Sequence, residues 1–240
     1  MDIKSSTPPD SLAAWGSLAP HAIGPRRARL WIEFALLFVV MPAAVTYLVR
    51  TLRVPLIFLL LIVLIGLVAF LLWDRTFSLK RELSRGIAMR ELKSIAAIFL
   101  GVAAIMAVYV WFYEPARFLS FPRRSLLFWG MVMLLYPLLS AFPQELVYRT
   151  FYFHRYGALF NGSRGLAVGI NGALFGLAHI MMGSAFSVVL SGALGVLLAF
   201  RYTHARSFWA ALLEHSLYGQ LVFTIGLGYL FFTGNSVVPR

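Results

Sequence analysis

Long apolar runs separated by short polar connections organise most of this chain. Each run approaches or exceeds the roughly 20 residues that a helix needs to cross the hydrocarbon core of a bilayer. The runs cover residues 30–49, 54–73, 95–113, 126–142, 166–182, 185–202 and 208–232. This pattern predicts an all-α fold, a polytopic transmembrane helical bundle of about seven or eight spans.

Two parts of the pattern leave the number of spans open. The last run is long for one crossing, and Gly219, Gly226 and Gly228 are positions where it can break into a span and a shorter piece. Residues 144–160 form a further helix candidate, and Pro143 suits the first turn of such a helix.

Small residues recur in two neighbouring runs. They are Gly165, Gly169, Gly172 and Gly176 in the first run, and Ser191, Gly192 and Gly195 in the second. Small residues at this spacing let helix backbones approach closely in lipid. The pattern predicts a tightly packed helix pair and carries no chemistry of its own.

The composition agrees with an integral membrane protein. The chain is 60% hydrophobic and 12% charged, whereas soluble domains average about 45–50% apolar and 25% charged residues. Cysteine is absent, which excludes disulfides, thiol catalysis and cysteine-bound metal. The net charge is +12, and the basic residues flank the apolar runs. Membrane topology and contact with anionic lipid explain these residues, so we expect no nucleic-acid partner.

The distribution of basic residues predicts the orientation. With a cytoplasmic N-terminus, 14 of the 21 Lys and Arg residues fall in inner segments and six in outer ones, leaving Arg149 within the bundle. We therefore predict a bacterial inner-membrane protein with its N-terminus in the cytoplasm. The predicted divisions are a cytoplasmic segment 1–29, N-terminal helices with a basic loop 30–125, a catalytic helical core 126–232 and a tail 233–240.

Ionisable side chains interrupt the apolar pattern in the second half of the chain. They are Glu145, Arg149, His179, Glu214 and His215. A charged group at the centre of a membrane helix costs roughly 2.5–3.5 kcal/mol on insertion scales, so each of them is a candidate functional residue. Glu145 and Arg149 are four residues apart and share a helix face, as do Asn171, Phe175 and His179. Glu214 and His215 are adjacent, so they diverge around the helix but can border one cavity.

Structural roles are the alternatives for the same residues. Glu145 and Arg149 can form a purely structural ion pair, and a lone histidine such as His179 is more often a packing residue. Glu214 can pair with Arg201 or Arg206. The remaining ionisable groups are interpreted as peripheral: His21, His154, His204, and Glu33 paired with Arg27 or Arg29.

Two mechanisms fit two histidines and a carboxylate. A carboxylate oriented by histidine can activate water for attack on a peptide carbonyl, with a histidine donor stabilising the oxyanion. Alternatively His179, His215 and Glu145 can hold Zn²⁺. The chain has no His-Glu-x-x-His motif, and the preferred interpretation requires no cofactor, with zinc as the alternative.

Three motifs resemble the CPBP family, which contains the CAAX prenyl endopeptidases and bacteriocin-processing membrane proteases. They are Gln144-Glu145-Leu-Val-Tyr-Arg149, Phe175-Gly-Leu-Ala-His179 and His215-Ser-Leu-Tyr-Gly219. The resemblance implies endoproteolysis near a membrane surface, by a site in an all-helical core that opens toward the cytoplasm. It also implies that a glutamate and the first histidine prime water, and that the last histidine and an asparagine hold the oxyanion.

Two positions depart from the family pattern. Gln144 stands where the family has its leading glutamate, and an amide cannot take a proton from water. Gly219 stands where the family has asparagine, and it has no side-chain donor.

We therefore predict an intramembrane peptidase in which Glu145 activates water with His179 as its partner. His215 is the predicted oxyanion donor and Arg149 orients Glu145. Gln144, Asn171, Phe175, Glu214 and Gly219 are the predicted pocket residues. The expected partners are membrane lipids and a peptide, lipidated or membrane-protein substrate. The alternatives are a catalytically silent peptide-binding homologue and a proton-coupled transporter, which also uses buried glutamate and histidine.

Overall fold

The structure, a computed structural model, describes residues 25–231. Its regular structure over that range is entirely helical. The predictions for the segment before Pro25, including His21, and for residues 232–240 lie outside the described residues.

The helices, in chain order, are α1 Pro25–Ala35, α2 Met41–Arg50, α3 Leu56–Trp73, α4 Leu79–Ser84, α5 Met89–Tyr113, α6 Ser120–Arg124, α7 Leu126–Tyr136, α8 Phe142–Glu145, α9 Tyr152–Tyr156, α10 Arg164–Ala178, α11 Ala185–Ala205 and α12 Phe208–Ile225. Short 3₁₀ turns occupy Pro115–Arg117, Gly157–Phe160, Ile180–Met182 and Gly228–Phe231.

The predicted membrane bundle is confirmed as an all-helical fold with several candidate spans. Over the described range, five helices are long and apolar enough to cross a bilayer: Arg27–Arg50, Met89–Tyr113, Leu126–Phe160, Arg164–Met182 and Ala185–Ala205. Helix α3 is a shorter apolar helix, and α12 carries the polar residues of the last run. Each of the seven predicted runs coincides with a helix.

The prediction that Pro143 begins a new helix is wrong. Residues Leu126–Phe160 form one continuous helical rod of 35 residues, with π-helical turns at Pro137–Ala141 and Leu146–Phe151. Proline removes a backbone donor and crowds the preceding turn, and a wider π turn accommodates such a break inside a helix. The rod therefore continues through Pro143 and carries Gln144 and Glu145 in its middle.

The first helix begins earlier than predicted, and Glu33 within it has a different partner from the one predicted. It starts at Pro25, so Arg27 and Arg29 are helical. Glu33 accepts two hydrogen bonds from Arg155, both of 2.9 Å, and one of 2.8 Å from Tyr156, in place of the predicted pairing with Arg27 or Arg29. The reason is tertiary, because the end of the long rod packs beside α1.

The predicted close packing of small residues is found between α10 and α11. A β-carbon added to Gly172 would overlap Val196, and one added to Gly176 would overlap the backbone at Val188. Gly165 and Gly169 have open space around them and lie outside this contact. The close approach fixes the helix that carries His179 against α11.

The last apolar run breaks at a glycine, as predicted. Helix α12 continues through Gly219 and ends at Gly226, which has φ +108°. A β-carbon on Gly226 would overlap the carbonyl of Arg117, so both the backbone conformation and the space require glycine there. The 3₁₀ turn Gly228–Phe231 then folds back over the end of the bundle.

The bundle has two ends, which we call the basic end and the far end and define by the connections between helices. The basic end carries the connections 74–88, 161–163 and 206–207, and the far end carries 51–55, 114–125, 183–184 and 226–231. Helix α4 is fastened across the basic end, since Glu82 accepts hydrogen bonds from Thr150 (3.0 Å) and Tyr202 (2.7 Å). The indole of Trp209 also donates to the carbonyl of Leu83, at 2.9 Å.

Asp74 begins the connection that carries α4. Partial burial opposes ionisation of Asp74, but hydrogen bonds from Thr76 and His154 outweigh it and lower the pKa of the carboxyl group. His154 lies 3.0 Å from Asp74, which agrees with its predicted peripheral role.

Candidate active site

The histidines of two separate helices face one cavity. The cavity has a volume of about 490 Å³, within the range of roughly 300–1,000 Å³ typical of ligand sites. Its polar lining consists of Tyr136, Ser140, Gln144, His179, Ser191, His215 and Tyr218. The phenyl ring of Phe175 lies between the two imidazoles, with ring centroids 4.9 Å from His179 and 5.5 Å from His215.

The lining positions place this cavity in the half of the bundle nearer the far end. On α11 they run from Leu190 to Leu197, and on α12 from His215 to Phe223. The resemblance implied a site that opens toward the cytoplasm, which by the charge count is the basic end. The basic-end side of the cavity is instead filled by buried side chains, among them Glu145, Arg149 and Glu214.

Glu145 lies behind the cavity wall, and its partner is His215. The Nδ1 atom of His215 donates to Oε1 of Glu145 at 2.8 Å, and the carboxylate has no exposed surface. The predicted contact with His179 as the water-activating pair is therefore wrong. Helix α8 ends at Glu145 where the second π-helical turn begins, and there the carboxylate faces α12 rather than the end of α10.

His179 is oriented by the backbone of its own helix. It caps the end of α10, and its Nδ1 atom donates to the carbonyl of Phe175 at 2.8 Å. That bond fixes the neutral tautomer with a lone pair on Nε2. Among the described residues no protein group binds Nε2, so this atom is available to a molecule in the cavity.

Tyr136 is a site residue that the sequence reasoning missed. Its hydroxyl lies 3.2 Å from Nε2 of His215, on the opposite side of the imidazole from Glu145. The sequence contained a signal for it: Tyr136, Ser140 and Gln144 recur at spacing four within an apolar run. All three line the cavity.

Gln144 projects into the cavity from the middle of the long rod. Its amide nitrogen donates to the hydroxyl of Ser140 at 3.0 Å, so its carbonyl oxygen remains an acceptor. Gln144 and His179 also line a second, smaller crevice of about 110 Å³ beside α3. The two residues therefore stand together where both spaces meet.

Arg149 and Asn171 support the site from behind. Nε of Arg149 lies 3.2 Å from Oε2 of Glu145, as predicted for its orienting role. Asn171 accepts a bond from Arg149 and donates to the carbonyl of Tyr148, both at 2.6 Å. Asn171 was predicted to line the pocket, but it is fully buried because these two polar groups of the π-helical turn take up its amide.

Glu214 was also predicted as a pocket residue, and it does not line the cavity. It is fully buried and accepts two bonds from Arg201, of 2.8 and 3.3 Å. Arg201 also binds Glu91 at 2.7 Å and Ser94 at 3.1 Å. Glu214 therefore has the alternative, structural role, as the partner of Arg201. It is adjacent to His215 on the helix, so its side chain points in a different direction, away from the cavity.

The described residues contain no group of three histidine, cysteine or acidic side chains that could hold a metal ion. The oxygens of Glu145 contact His215 and Arg149 behind the cavity wall. The carboxylate therefore does not join the Nε2 atoms of the two histidines in one set of zinc ligands.

One comparison with known proteins bears on this site. Residues 123–221 match the family model described as Type II CAAX prenyl endopeptidase Rce1-like. Over this segment the chain is similar to the Rce1-like family. It contains Gln144, Glu145, Arg149, Phe175, His179, His215 and Gly219, the motif residues of the predicted resemblance. No curated protein and no solved structure matches the chain significantly.

The match agrees with the family resemblance predicted from the motifs. At the level of the family it supports a CAAX-type membrane protease, a class that acts on peptides or proteins. The Rce1-like domain covers the long rod, α10, α11 and most of α12, which together supply both histidines.

The structure gives a physical reason for Gly219 in this Rce1-like domain. A β-carbon on Gly219 would overlap the ring of Tyr136, so the tyrosine occupies the space that a longer side chain would need. Its hydroxyl lies 3.2 Å from Nε2 of His215, and the motif of the resemblance has an asparagine at position 219. Tyr136 thus supplies a hydroxyl to a site that lacks the asparagine amide.

The close fit between Gly219 and Tyr136 leads to a prediction about variants at these two positions. Gly219→Asn alone is expected to lower kcat about tenfold or more, since overpacking displaces Tyr136 from His215. Tyr136→Ala combined with Gly219→Asn is expected to recover part of that loss, because the amide then has space beside His215. Steady-state kinetics on the wild type and the two variants test this. A double variant no better than Gly219→Asn would contradict the exchange.

Proposed function

We propose that this protein is an intramembrane endopeptidase that hydrolyses a peptide bond with a histidine-activated water and no metal ion. The observation that carries the proposal is that His179 and His215 face one cavity and that each is oriented through its Nδ1 atom. His179 is held by a backbone carbonyl and His215 by a buried carboxylate. The two imidazoles are therefore held by different partners, one neutral and one acidic.

His179 is the proposed general base. Its Nδ1 proton is held by the carbonyl of Phe175, which leaves the Nε2 lone pair toward the cavity. A positioned base of this type contributes roughly 10²–10⁴-fold to a rate. Gln144 stands beside it and can accept a hydrogen bond from the same water, so the amide orients the nucleophile without taking its proton.

His215 is the proposed electrophilic residue. Glu145 binds Nδ1 of His215 and does not line the cavity, so Glu145 is a positioning residue that acts through His215. In the proposed role His215 donates from Nε2, and the hydroxyl of Tyr136 lies 3.2 Å from that atom. Two such donors can stabilise the oxyanion that forms when water attacks a carbonyl.

The proposed reaction uses one proton and returns it. Water attacks the peptide carbonyl carbon as its proton passes to Nε2 of His179, and the carbonyl π electrons move to the oxygen facing His215 and Tyr136. The C–N bond then breaks, and the proton on His179 passes to the departing amine. The products are a new carboxyl terminus and a new amino terminus, and Glu145 remains charged throughout.

The proposed substrate is a lipid-anchored or membrane-embedded polypeptide, and the proposed setting is a bacterial inner membrane with the N-terminus in the cytoplasm. The location of the histidines between helices that can span a bilayer supports this substrate class. The excess of basic residues at one end supports the orientation.

The test is peptide cleavage by purified protein in liposomes. Wild-type protein is expected to produce two fragments with a single new terminus each, in the presence and absence of a zinc chelator. A preparation of His179→Ala/His215→Ala should give no fragments, whereas His204→Ala, a change in an exposed histidine outside the cavity, should cleave like wild type.

Other outcomes would assign a different function. Loss of cleavage with chelator and its return with Zn²⁺ would overturn the metal-free mechanism. Tight peptide binding without fragments would indicate a silent homologue, which the amide of Gln144 favours among the alternatives. Proton-coupled solute flux in the same liposomes, without cleavage, would indicate a transporter.

A further inference from the structure

Two polar residues of the cavity wall have hydroxyl groups that form no hydrogen bond among the described residues. They are Ser191 on α11 and Tyr218 on α12, and both are buried, with exposed fractions of 3% and 6%. Buried polar groups are normally paired, so each unpaired one requires an explanation. The ring of Tyr218 packs on Phe99 of α5, with centroids 5.7 Å apart. Ser191 instead lies on the helix that packs against α10 and its histidine.

Ser191 differs from other hydroxyl residues inside the helices of this bundle. The hydroxyl of Ser216 donates to the carbonyl of Leu212 at 2.7 Å, and that of Thr224 donates to the carbonyl of Gln220 at 2.7 Å. A serine or threonine in a helix can satisfy its hydroxyl by this bond to the carbonyl four residues earlier. Ser191 makes no such bond within residues 25–231. Its hydroxyl is therefore available to a molecule in the cavity.

The packing of α10 against α11 places Ser191 at the level of His179. The two helices run in opposite directions, because only the short connection 183–184 separates α11 from the turn after α10. A β-carbon on Gly195 would lie 2.8 Å from the β-carbon of Phe175, so these positions face each other. Residues four apart share a helix face. Ser191, four before Gly195, therefore lies at the level of His179, four after Phe175.

The turn that follows α12 supports the same register. The carbonyl of Leu230 in this turn accepts a hydrogen bond from the hydroxyl of Ser187. The ring of the next residue, Phe231, lies 6.3 Å from His179 between centroids. One turn thus contacts both Ser187 and His179, and Ser191 is one helical turn further along α11 than Ser187. Ser191 and His179 both line the cavity at this place.

A substrate peptide group needs an acceptor beside His179. Its N–H loses its hydrogen bond to water when it enters the cavity, and a buried donor without a partner is costly. In the proposed reaction the carbonyl of Gln144 and Nε2 of His179 both hold the attacking water. The oxygen of Ser191 is an acceptor on the same side that the reaction does not otherwise use. The departing nitrogen must also lie on this side, because it receives its proton from His179.

We propose that Ser191 is a positioning residue that accepts a hydrogen bond from the N–H of the scissile peptide bond. The inference rests on the proposed peptidase function and adds the group that holds the leaving amine. When water has added to the carbonyl, the lone pair of the nitrogen is no longer delocalised. With the N–H directed at Ser191, that lone pair faces the protonated imidazole of His179. The C–N bond then breaks as the proton is transferred, and Ser191 remains unmodified.

The test compares two substrates that differ at one atom, a peptide and the depsipeptide in which an ester oxygen replaces the scissile N–H. Ser191→Ala is expected to lower kcat/KM for the peptide about tenfold, the effect of one lost hydrogen bond in a buried site. For the depsipeptide the change should stay within about twofold, because the ester has no N–H to lose its partner. The melting temperature should not fall, since Ser191 bonds to no described residue in the free protein. Equal losses for both substrates would overturn the proposal.

Ser216→Ala is the matched control. Ser216 is also a buried serine inside a helix, but its hydroxyl is bonded to Leu212 and it does not line the cavity. Its kcat/KM should stay within about twofold of wild type for both substrates. A loss for the peptide alone in Ser216→Ala as well would show that the effect is not specific to Ser191, and would overturn the proposal.

Two further measurements separate this inference from the peptidase function. Mass spectrometry should find no acyl group on Ser191 during turnover, and an acyl-enzyme at Ser191 would show a nucleophile instead of a positioning residue. Fluorescence titration measures binding of a labelled peptide and its depsipeptide without requiring cleavage. A wild type that cleaves neither substrate would refute the peptidase function. Peptide binding that is tighter than depsipeptide binding in wild type, but not in Ser191→Ala, would still support the contact, and equal differences in both would refute it.

Discussion

Glu145→Gln is expected to lower kcat for peptide cleavage by about 10²–10³-fold, the loss typical of removing oxyanion stabilisation. The amide can still accept a hydrogen bond from His215, so the geometry is retained. It carries no charge, however, so the proposed electrophile His215 loses the acidic group that contacts its Nδ1 atom. KM should change little, because Glu145 does not line the cavity.

Glu214→Gln is the matched control for this prediction. It changes another buried glutamate, which pairs with Arg201. Its kcat is expected to stay within a factor of about three of wild type, because Arg201 keeps Glu91 as a partner. The imidazole ¹⁵N shifts of His215 should move in Glu145→Gln and remain in place in Glu214→Gln.

Two outcomes would contradict the role of Glu145. Equal losses of kcat in the two glutamine variants would indicate a general packing defect. An unchanged kcat in Glu145→Gln, together with a faster Gln144→Glu variant, would place the important carboxylate at position 144 instead. Thermal unfolding of each variant checks that Arg149, which loses its partner, has not unfolded the protein.

Arg201→Met is expected to lower the free energy of unfolding by about 3–5 kcal/mol, the usual cost of breaking a buried ion pair. The guanidinium donates to Glu214, Glu91 and Ser94 at distances of 2.7–3.3 Å. Its removal leaves two buried carboxylates without this cation. Unfolding in mixed detergent micelles measures the change.

Two further variants test whether the loss of stability in Arg201→Met comes from the buried charges. Arg155→Met removes a partner of Glu33 from a pair whose side chains are 28% and 26% exposed, and about 0–1 kcal/mol is expected for such a pair. Replacing Arg201, Glu91 and Glu214 together by leucine or methionine should recover most of the loss, since no unpaired charge remains. A loss in Arg201→Met no larger than in Arg155→Met would refute the proposed importance of the network.

The motif spacing identified several contacts before the fold was known. Glu145 and Arg149 lie together because residues four apart share a helix face. Glu214 pairs with Arg201, one of the two arginines predicted as its alternative partners. The break at Gly226 follows from the same local reasoning. These features depend on the few residues around them, so their spacing in the chain is sufficient.

The contacts that orient the catalytic groups could not be predicted in this way. Tyr136 reaches His215 across 79 residues of sequence, and Glu145 reaches the same histidine across 70. Which histidine faces Glu145 depends on the π-helical turn Pro137–Ala141 in the long rod, which rotates the residues after it. Hydrophobic periodicity does not report such turns, since both faces of this helix are apolar.

The sequence by itself determined that this protein is an all-helical membrane bundle, because uninterrupted apolar runs have no other stable arrangement in lipid. It also identified the glutamate and both histidines, since ionisable groups are too costly in a membrane to be incidental. Only the tertiary structure decided that Glu145 holds His215 and that Tyr136 takes the space left by Gly219. Those outcomes follow from how the helices pack and rotate against one another, and the order of residues along one helix does not contain that information.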